Sequence, residues 1–325
     1  MQKSHVLALA FALLCAGSVS AQKPLPAQSN LGQSAKEALL NKGSASQGRF
    51  RAILTGFTCN RESADDILER DGRRDEIFFL SRTVGLVQSG GQWRTVSQST
   101  PLRSLVYGDP TGRTGRVQVG SGMPGLLGGE PGGIMTGNSF PTVPYQRRGE
   151  PTPTKLPLLL WQGELSMAQG APKLILMPTV WEWDGPDDLL TMLGRPFISA
   201  PILSFPDRLL GALTQNFTGG AAAGGSEVEL LSRIVQPVNA EWALGREIRV
   251  GKSFLGDAKD RPIGMKDASN AEYRFQPFGV VLTYDTADWM SKTDFGNGRG
   301  IITVRYVDAE ALKGDYTLFV QIERQ

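Results

Sequence analysis

Residues 51–82 read RAILTGFTCNRESADDILERDGRRDEIFFLSR, and the two ends of that stretch set the fold class. On entry, Phe50, Ala52 and Leu54 alternate with Arg51, Ile53 and Thr55; on exit, Ile77 to Leu80 form a second strand-length apolar run bounded by charge. A period of two marks a β-strand whose faces meet different surroundings. Between the runs, Glu62, Asp65, Asp66, Glu69, Asp71, Asp75 and Glu76 stand among Arg61, Arg70, Arg73 and Arg74. No other part of the chain sets ionisable groups so densely beside apolar sequence.

Outward from this stretch the strand signal recurs. Thr83–Val87 and Thr114–Val119 are short candidates, and Leu156–Ser166 and Lys173–Trp183 are long apolar runs. The Gly and Pro punctuation of Met167–Pro172 between those two predicts a hairpin. Phe278–Tyr284, Gly300–Val307 and Asp315–Glu323 close the chain as strands. In the last, Tyr316, Leu318, Val320 and Ile322 share one face, and Phe319 makes the other only partly polar, which places this strand well inside a sheet.

Two segments break the pattern. Residues 120–157 are rich in glycine and proline and read as an irregular loop, either a linker between sub-domains or an excursion from one sandwich. Residues 186–244 switch to helical spacing, with Leu189, Leu190 and Leu193, then Leu209, Leu210 and Leu213, then Leu230, Leu231, Ile234 and Val235. Each set has a start signal: Pro186-Asp187-Asp188, Pro206-Asp207, and the capping-box spacing of Ser226 and Glu229. The expected architecture is mainly β, an antiparallel β-sandwich with a helical insertion at about 186–244, in a single domain over residues 49–325.

The first residues point to a compartment. Lys3, the apolar run Val6–Cys15 and the small-residue box Val19-Ser20-Ala21 predict a signal peptide over residues 1–21, followed by a flexible leader over 22–48. That implies export, to a periplasm or beyond the cell. No later apolar run approaches the ~20 residues needed to cross a bilayer. Removing residues 1–21 takes away Lys3, His5 and Cys15, leaving 33 basic and 32 acidic residues, no histidine, and Cys59 as the one cysteine. Histidine-dependent nucleophiles, bases and zinc sites are thereby excluded in the mature chain, as is an intramolecular disulfide. A balanced charge gives no footing for nucleic acid. Cys59, at the end of a strand-like run with no base nearby, reads as a buried inert thiol.

Two constellations carry candidate chemistry. Asp71-Gly72-Arg73-Arg74-Asp75-Glu76 has a sharp turn and trailing acids, the form in which several oxygens converge on a hard cation; Asp71, Asp75 and Glu76 are the candidate calcium ligands, although the spacing is not that of an EF-hand. The competing reading makes these acids helix caps and surface partners of the arginines. Trp161, Trp181 and Trp183 with Glu182 and Asp184 form the second set. Aromatic faces beside carboxylates suit a sugar groove, and a pair of acids suits a histidine-free glycosidase; three tryptophans in apolar strands equally suit a core. Gly120–Gly125 spells G-x-G-x-x-G without a following helix, and Gly245–Ser253 is one residue off a phosphate loop. The leading expectation is an exported β-rich binding or structural module, calcium-stabilised and non-catalytic. The alternatives are a carboxylate-dependent hydrolase of glycans and a cell-envelope protein-interaction module.

Overall fold

The computed structural model describes residues 47–64, 75–90, 92–108, 116–117, 133–168, 170–183, 227–240, 244, 247–252 and 260–325. Its strands are β1 (Gln47–Arg61), β2 (Ile77–Ser89), β3 (Gln92–Gln98), β4 (Leu102–Arg103), β5 (Val106–Tyr107), β6 (Arg116–Val117), β7 (Ser139–Phe140), β8 (Leu158–Ser166) and β9 (Lys173–Glu182). They continue with β10 (Val235–Pro237), β11 (Arg249–Gly251), β12 (Arg261–Pro262), β13 (Met265–Asp267), β14 (Glu272–Phe275), β15 (Phe278–Leu282), β16 (Ile301–Val307) and β17 (Asp315–Arg324). The described helices are α1 (Glu227–Ile234) and α2 (Tyr284–Lys292).

The fold is mainly β and sandwich-like. In one sheet the order is β16-β17-β1-β7, with β8 also pairing β1; in the other it is β10-β15-β9-β2-β5-β6, with β12 beside β9 and β3 and β4 beside β2. A small sheet, β11-β14-β13, stands apart. Pairings are antiparallel apart from β5 with β6. The alternation of the opening stretch explains why β1 pairs with β17 from Phe50 to Arg61: Ala52 lies opposite Ile322 and Leu54 opposite Val320, so apolar residues of both strands share the inward face. A register shift between Leu54 and Gly56 then brings Phe57 inward as well. Its ring lies 5.4 Å from Phe79 and 5.9 Å from Tyr107, both of the second sheet, and 6.2 Å from Tyr316 of its own. This aromatic cluster is the centre of the inter-sheet core.

The predicted hairpin does not form. β8 joins the first sheet along β1, while β9 joins the second between β2 and β15, so Met167–Pro172 carries the chain from one sheet to the other. Both runs are apolar because each packs on the core, and apolarity alone does not name a partner. Ile77–Leu80 and Thr83–Val87 fuse into one strand, since Ser81 and Arg82 stay in the ladder opposite Pro178 and Met177. From Leu174 to Glu182 every residue of β9 is buried, so both faces of the strand are covered. Trp181 on the outer face stacks against Phe78 at 6.1 Å and meets Phe275 of the small sheet at 6.1 Å.

Of the helical insertion, residues 184–226 lie outside the described residues. The third expected helix is α1, but it stops at Ile234, because Val235–Pro237 pair with β15 instead. Helix α2 was not legible. Its start is a capping box built by Thr283 and Thr286, with threonine where Glu or Gln is the usual signature, directly after a strand. It packs at the end of the first sheet, where Tyr284 meets Phe50 edge-on at 5.8 Å and Asp288 pairs with Arg324 at 2.7 Å. Among the described residues no helix is long and apolar enough to cross a membrane.

Residues 133–157 of the Gly/Pro-rich segment form a strap. Cys59 and residues 137–138 exchange backbone bonds at 2.7 and 2.9 Å, Thr55 donates to the Pro144 carbonyl at 2.9 Å, and Tyr145 covers Phe319. Arg147 pairs with Glu323, and Glu150 with Arg51. The strap then reaches the second sheet, where the Leu105 N–H donates to Thr154 and the Leu156 N–H to the Tyr107 hydroxyl. It therefore ties the two sheets together. Gly56 lies beneath it: a Cβ there would sit 2.4 Å from the Phe140 carbonyl oxygen and 2.6 Å from that of Pro144. Gly56→Ala is expected to cost about 1–3 kcal/mol by overpacking, read as a lower urea midpoint.

Candidate functional site

Glu182 ends β9 opposite Ile77, and thus on the same face as Phe79 and Val180, toward the first sheet. A carboxylate there cannot stay unpaired, because an isolated charge in a dry interior costs far more than a hydrogen bond returns. Its partner is Arg261 of β12, whose backbone pairs with Glu182 and whose Nη2 lies 2.8 Å from Glu182 Oε2. Nη1 of the same guanidinium lies 2.9 Å from Asp308 Oδ2, in the turn after β16. Asp308 Oδ1 in turn accepts the N–H groups of Gly264 at 2.7 Å and Met265 at 2.9 Å. Gly264 presents its N–H from a left-handed conformation, φ 111°, with a Cβ position only 2.7 Å from the Tyr306 ring; only glycine fits.

The opening stretch supplies the other half. The Ser63 N–H donates to Asp75 at 2.9 Å from Oδ2 and 3.1 Å from Oδ1. Its hydroxyl oxygen lies 3.1 Å from Asp75 Oδ1 and is hydrogen-bonded to Glu182 Oε1. The Tyr316 hydroxyl donates to Asp75 Oδ2. Backbone bonds hold the frame: Ile134 N–H to the Asp75 carbonyl at 2.7 Å, and Trp183 N–H to the Glu76 carbonyl at 2.6 Å. Asp75, Glu182, Arg261 and Asp308 are each at most 7% exposed, so solvent screens none of these contacts appreciably.

Burial dominates the electrostatics. It pushes Asp75 up to about 7, against the Tyr316 and Ser63 hydrogen bonds and the Arg261 charge. It raises Asp308 too, with Arg261 and the Gly264 and Met265 N–H groups pulling the other way. Cys59, fully buried beside this cluster, has its thiol pushed up to about 12 by burial and by Asp75, so the expected inert thiol is what the fold holds.

Asp75 of the calcium set and Glu182 of the tryptophan set therefore meet at one end of the sandwich. Of the expected calcium ligands, Asp71 lies outside the described residues, Asp75 points inward with both oxygens already accepting donors, and Glu76 is buried. Among the described residues no group of three or more histidines, cysteines and acids is placed to hold a metal ion. Of the sugar-groove set, Trp181 is core, with its indole N–H donated to Thr179 at 2.8 Å; Trp161 and Trp183 are half-buried against the core; Glu182 belongs to the ionic cluster; and Asp184 lies outside the described residues. Ser63, Arg261, Asp308 and Tyr316 were not flagged, and no local pattern could have flagged them. Apart from Asp308 and Tyr316, eight positions apart, they stand tens to hundreds of residues from one another and meet only through tertiary pairing.

Comparison with protein-family models, with curated proteins and with solved structures finds no match to this chain. The cluster itself indicates a structural role, in which one guanidinium pairs with Glu182 at the end of β9 and with Asp308 in the turn after β16 and so joins the two sheets. Arg261→Ala leaves Glu182 and Asp308 buried without their cation, and is expected to cost about 3–5 kcal/mol, measured by urea unfolding with an unchanged m-value.

Proposed function

We propose that the protein works as an exported β-rich binding or structural module that turns over no substrate. The observation that carries this reading is the engagement of Glu182. It is the acid on which a histidine-free hydrolase would rest, yet it is 3% exposed, ion-paired to Arg261 and hydrogen-bonded to Ser63. A glycosidase needs two carboxyls flanking an open groove, one of them free to exchange protons with the glycosidic oxygen. Trp181, the central tryptophan of the expected sugar platform, supports the same reading, because its ring is stacked inside the protein and has no face to offer a ligand. Export rests on the residue pattern of positions 3–21.

The test is incubation of purified residues 22–325 with a panel of polysaccharides. No new reducing ends are expected from wild type; activity that disappears in Glu182→Gln would instead establish the hydrolase.

Calcium enters as a second measurement. With the core and the ionic cluster carrying stability, the thermal midpoint is expected to be equal in millimolar calcium and in EDTA. A rise with calcium, as required of any ligand binding only the folded state, would restore the ion-stabilised form of the module.

A further inference from the structure

We propose that Asn297 is a site of slow succinimide formation, and that the Asp294 carboxylate governs its rate by holding the Gly298 N–H. Asn297-Gly298 is the only Asn-Gly pair in the chain. Glycine after asparagine leaves the following backbone nitrogen open to the side-chain amide, because no Cβ shields it. The pair lies in residues 293–300, the turn between α2 and β16. Asn297 and Gly298 are half-buried while Asp294, Gly296 and Arg299 are exposed, so water reaches the turn. One carboxylate oxygen is the hub of this turn: Asp294 Oδ1 accepts the N–H of Gly296 at 2.8 Å and that of Gly298 at 3.0 Å. The second of these is the nitrogen that has to react.

Closure requires the Gly298 nitrogen to lose its proton and to reach Asn297 Cγ. The N–Cγ bond forms, the Cγ–Nδ2 bond breaks, and the amide leaves as ammonia, taking up the proton that the backbone nitrogen gave. Water then adds to the five-membered imide. Opening on the Cγ side gives aspartate; opening at the main-chain carbonyl gives isoaspartate, through whose side-chain carbon the backbone then runs. Asp294 opposes the first step in two ways. Its negative charge disfavours an amide anion beside it, and its hydrogen bond is lost when the nitrogen turns toward Cγ. The frame adds to the hold: the Gly300 N–H donates to the Thr293 carbonyl at 2.8 Å, the Ile301 N–H to that of Gly298 at 3.2 Å, and Asp294 and Arg299 form an antiparallel bridge. Isoaspartate inserts one more backbone atom between those bridged residues, so the modification loosens the turn that leads into β16.

The experiment is incubation of the purified protein at neutral pH, below its unfolding midpoint, with wild type, Asp294→Ala and Asn297→Gln side by side. Tryptic cleavage after Lys292 and Arg299 isolates residues 293–299, and mass spectrometry with an isoaspartyl methyl-transfer assay reads aspartate and isoaspartate at position 297. Asp294→Ala is expected to form product about tenfold faster than wild type, the factor that loss of a hydrogen bond to a charged group allows. Asn297→Gln is expected to form none, since its longer side chain closes a six-membered ring far more slowly. In urea, where the turn is lost, wild type and Asp294→Ala are expected to react at the same rate. Equal native rates, or a ratio that persists unchanged in urea, overturns the proposal, as does Asp294→Ala without product. Should Asp294→Ala fail to fold, Asp294→Asn decides in the same way: it keeps an oxygen acceptor without the charge, so its native rate has to exceed that of wild type, and an equal rate overturns the proposal.

Discussion

Arg261 between Glu182 and Asp308 is the contact on which the arrangement of the two sheets depends. Its guanidinium has donors on two sides, which lets one cation face a strand end of the second sheet and the turn that follows β16 of the first. Hydrophobic packing is tolerant of small sliding, whereas buried ion pairs are not, because each displaced partner becomes an unsolvated charge. The aromatic cluster around Phe57 brings the sheets together, and the ionic cluster defines how they meet at one end.

That arrangement changes the meaning of the acidic residues. Density of carboxylates in sequence suggests an ion site or a pair of catalytic acids. In the fold, Asp75, two residues before β2, and Glu182, at the end of β9, turn inward side by side, and Ser63, just past β1, and Tyr316 of β17 reach them from the side of the opposite sheet. The same groups that would serve chemistry in an open groove serve cohesion when solvent is excluded. The strap over residues 133–157 acts similarly from outside: it covers Phe319 and Thr55, then bonds to Leu105 and Tyr107 of the other sheet.

The readings that succeeded relied on short-range repetition. β1, β16 and β17 lie where period-two alternation and apolar runs placed them, and Phe319 on the outer face marked β17 as an interior strand, which it is, between β16 and β1. α1 begins beside the capping-box spacing of Ser226 and Glu229. The failures share a cause as well. Two apolar runs joined by Gly and Pro have the form of a hairpin, yet β8 and β9 belong to different sheets. A ladder is chosen by every strand available, and a connecting loop only limits how far the next strand can travel. α2 escaped notice because its cap is made by two threonines at the end of an apolar strand.

The sequence by itself determined the class of the fold, the lack of histidine and of any cysteine but Cys59 beyond residue 21, and the burial expected of Cys59, since these follow from residue types and local spacing. Tertiary structure alone decided that residues 133–157 of the Gly/Pro-rich segment bond to both sheets. It also decided that Glu182 meets Arg261, Ser63 meets Asp75, and Trp181 belongs to the core. Spacing along the chain specifies which way a side chain points within its own element. What it points at depends on strands contributed from far away, and a carboxylate is a ligand, an acid or a brace according to that company.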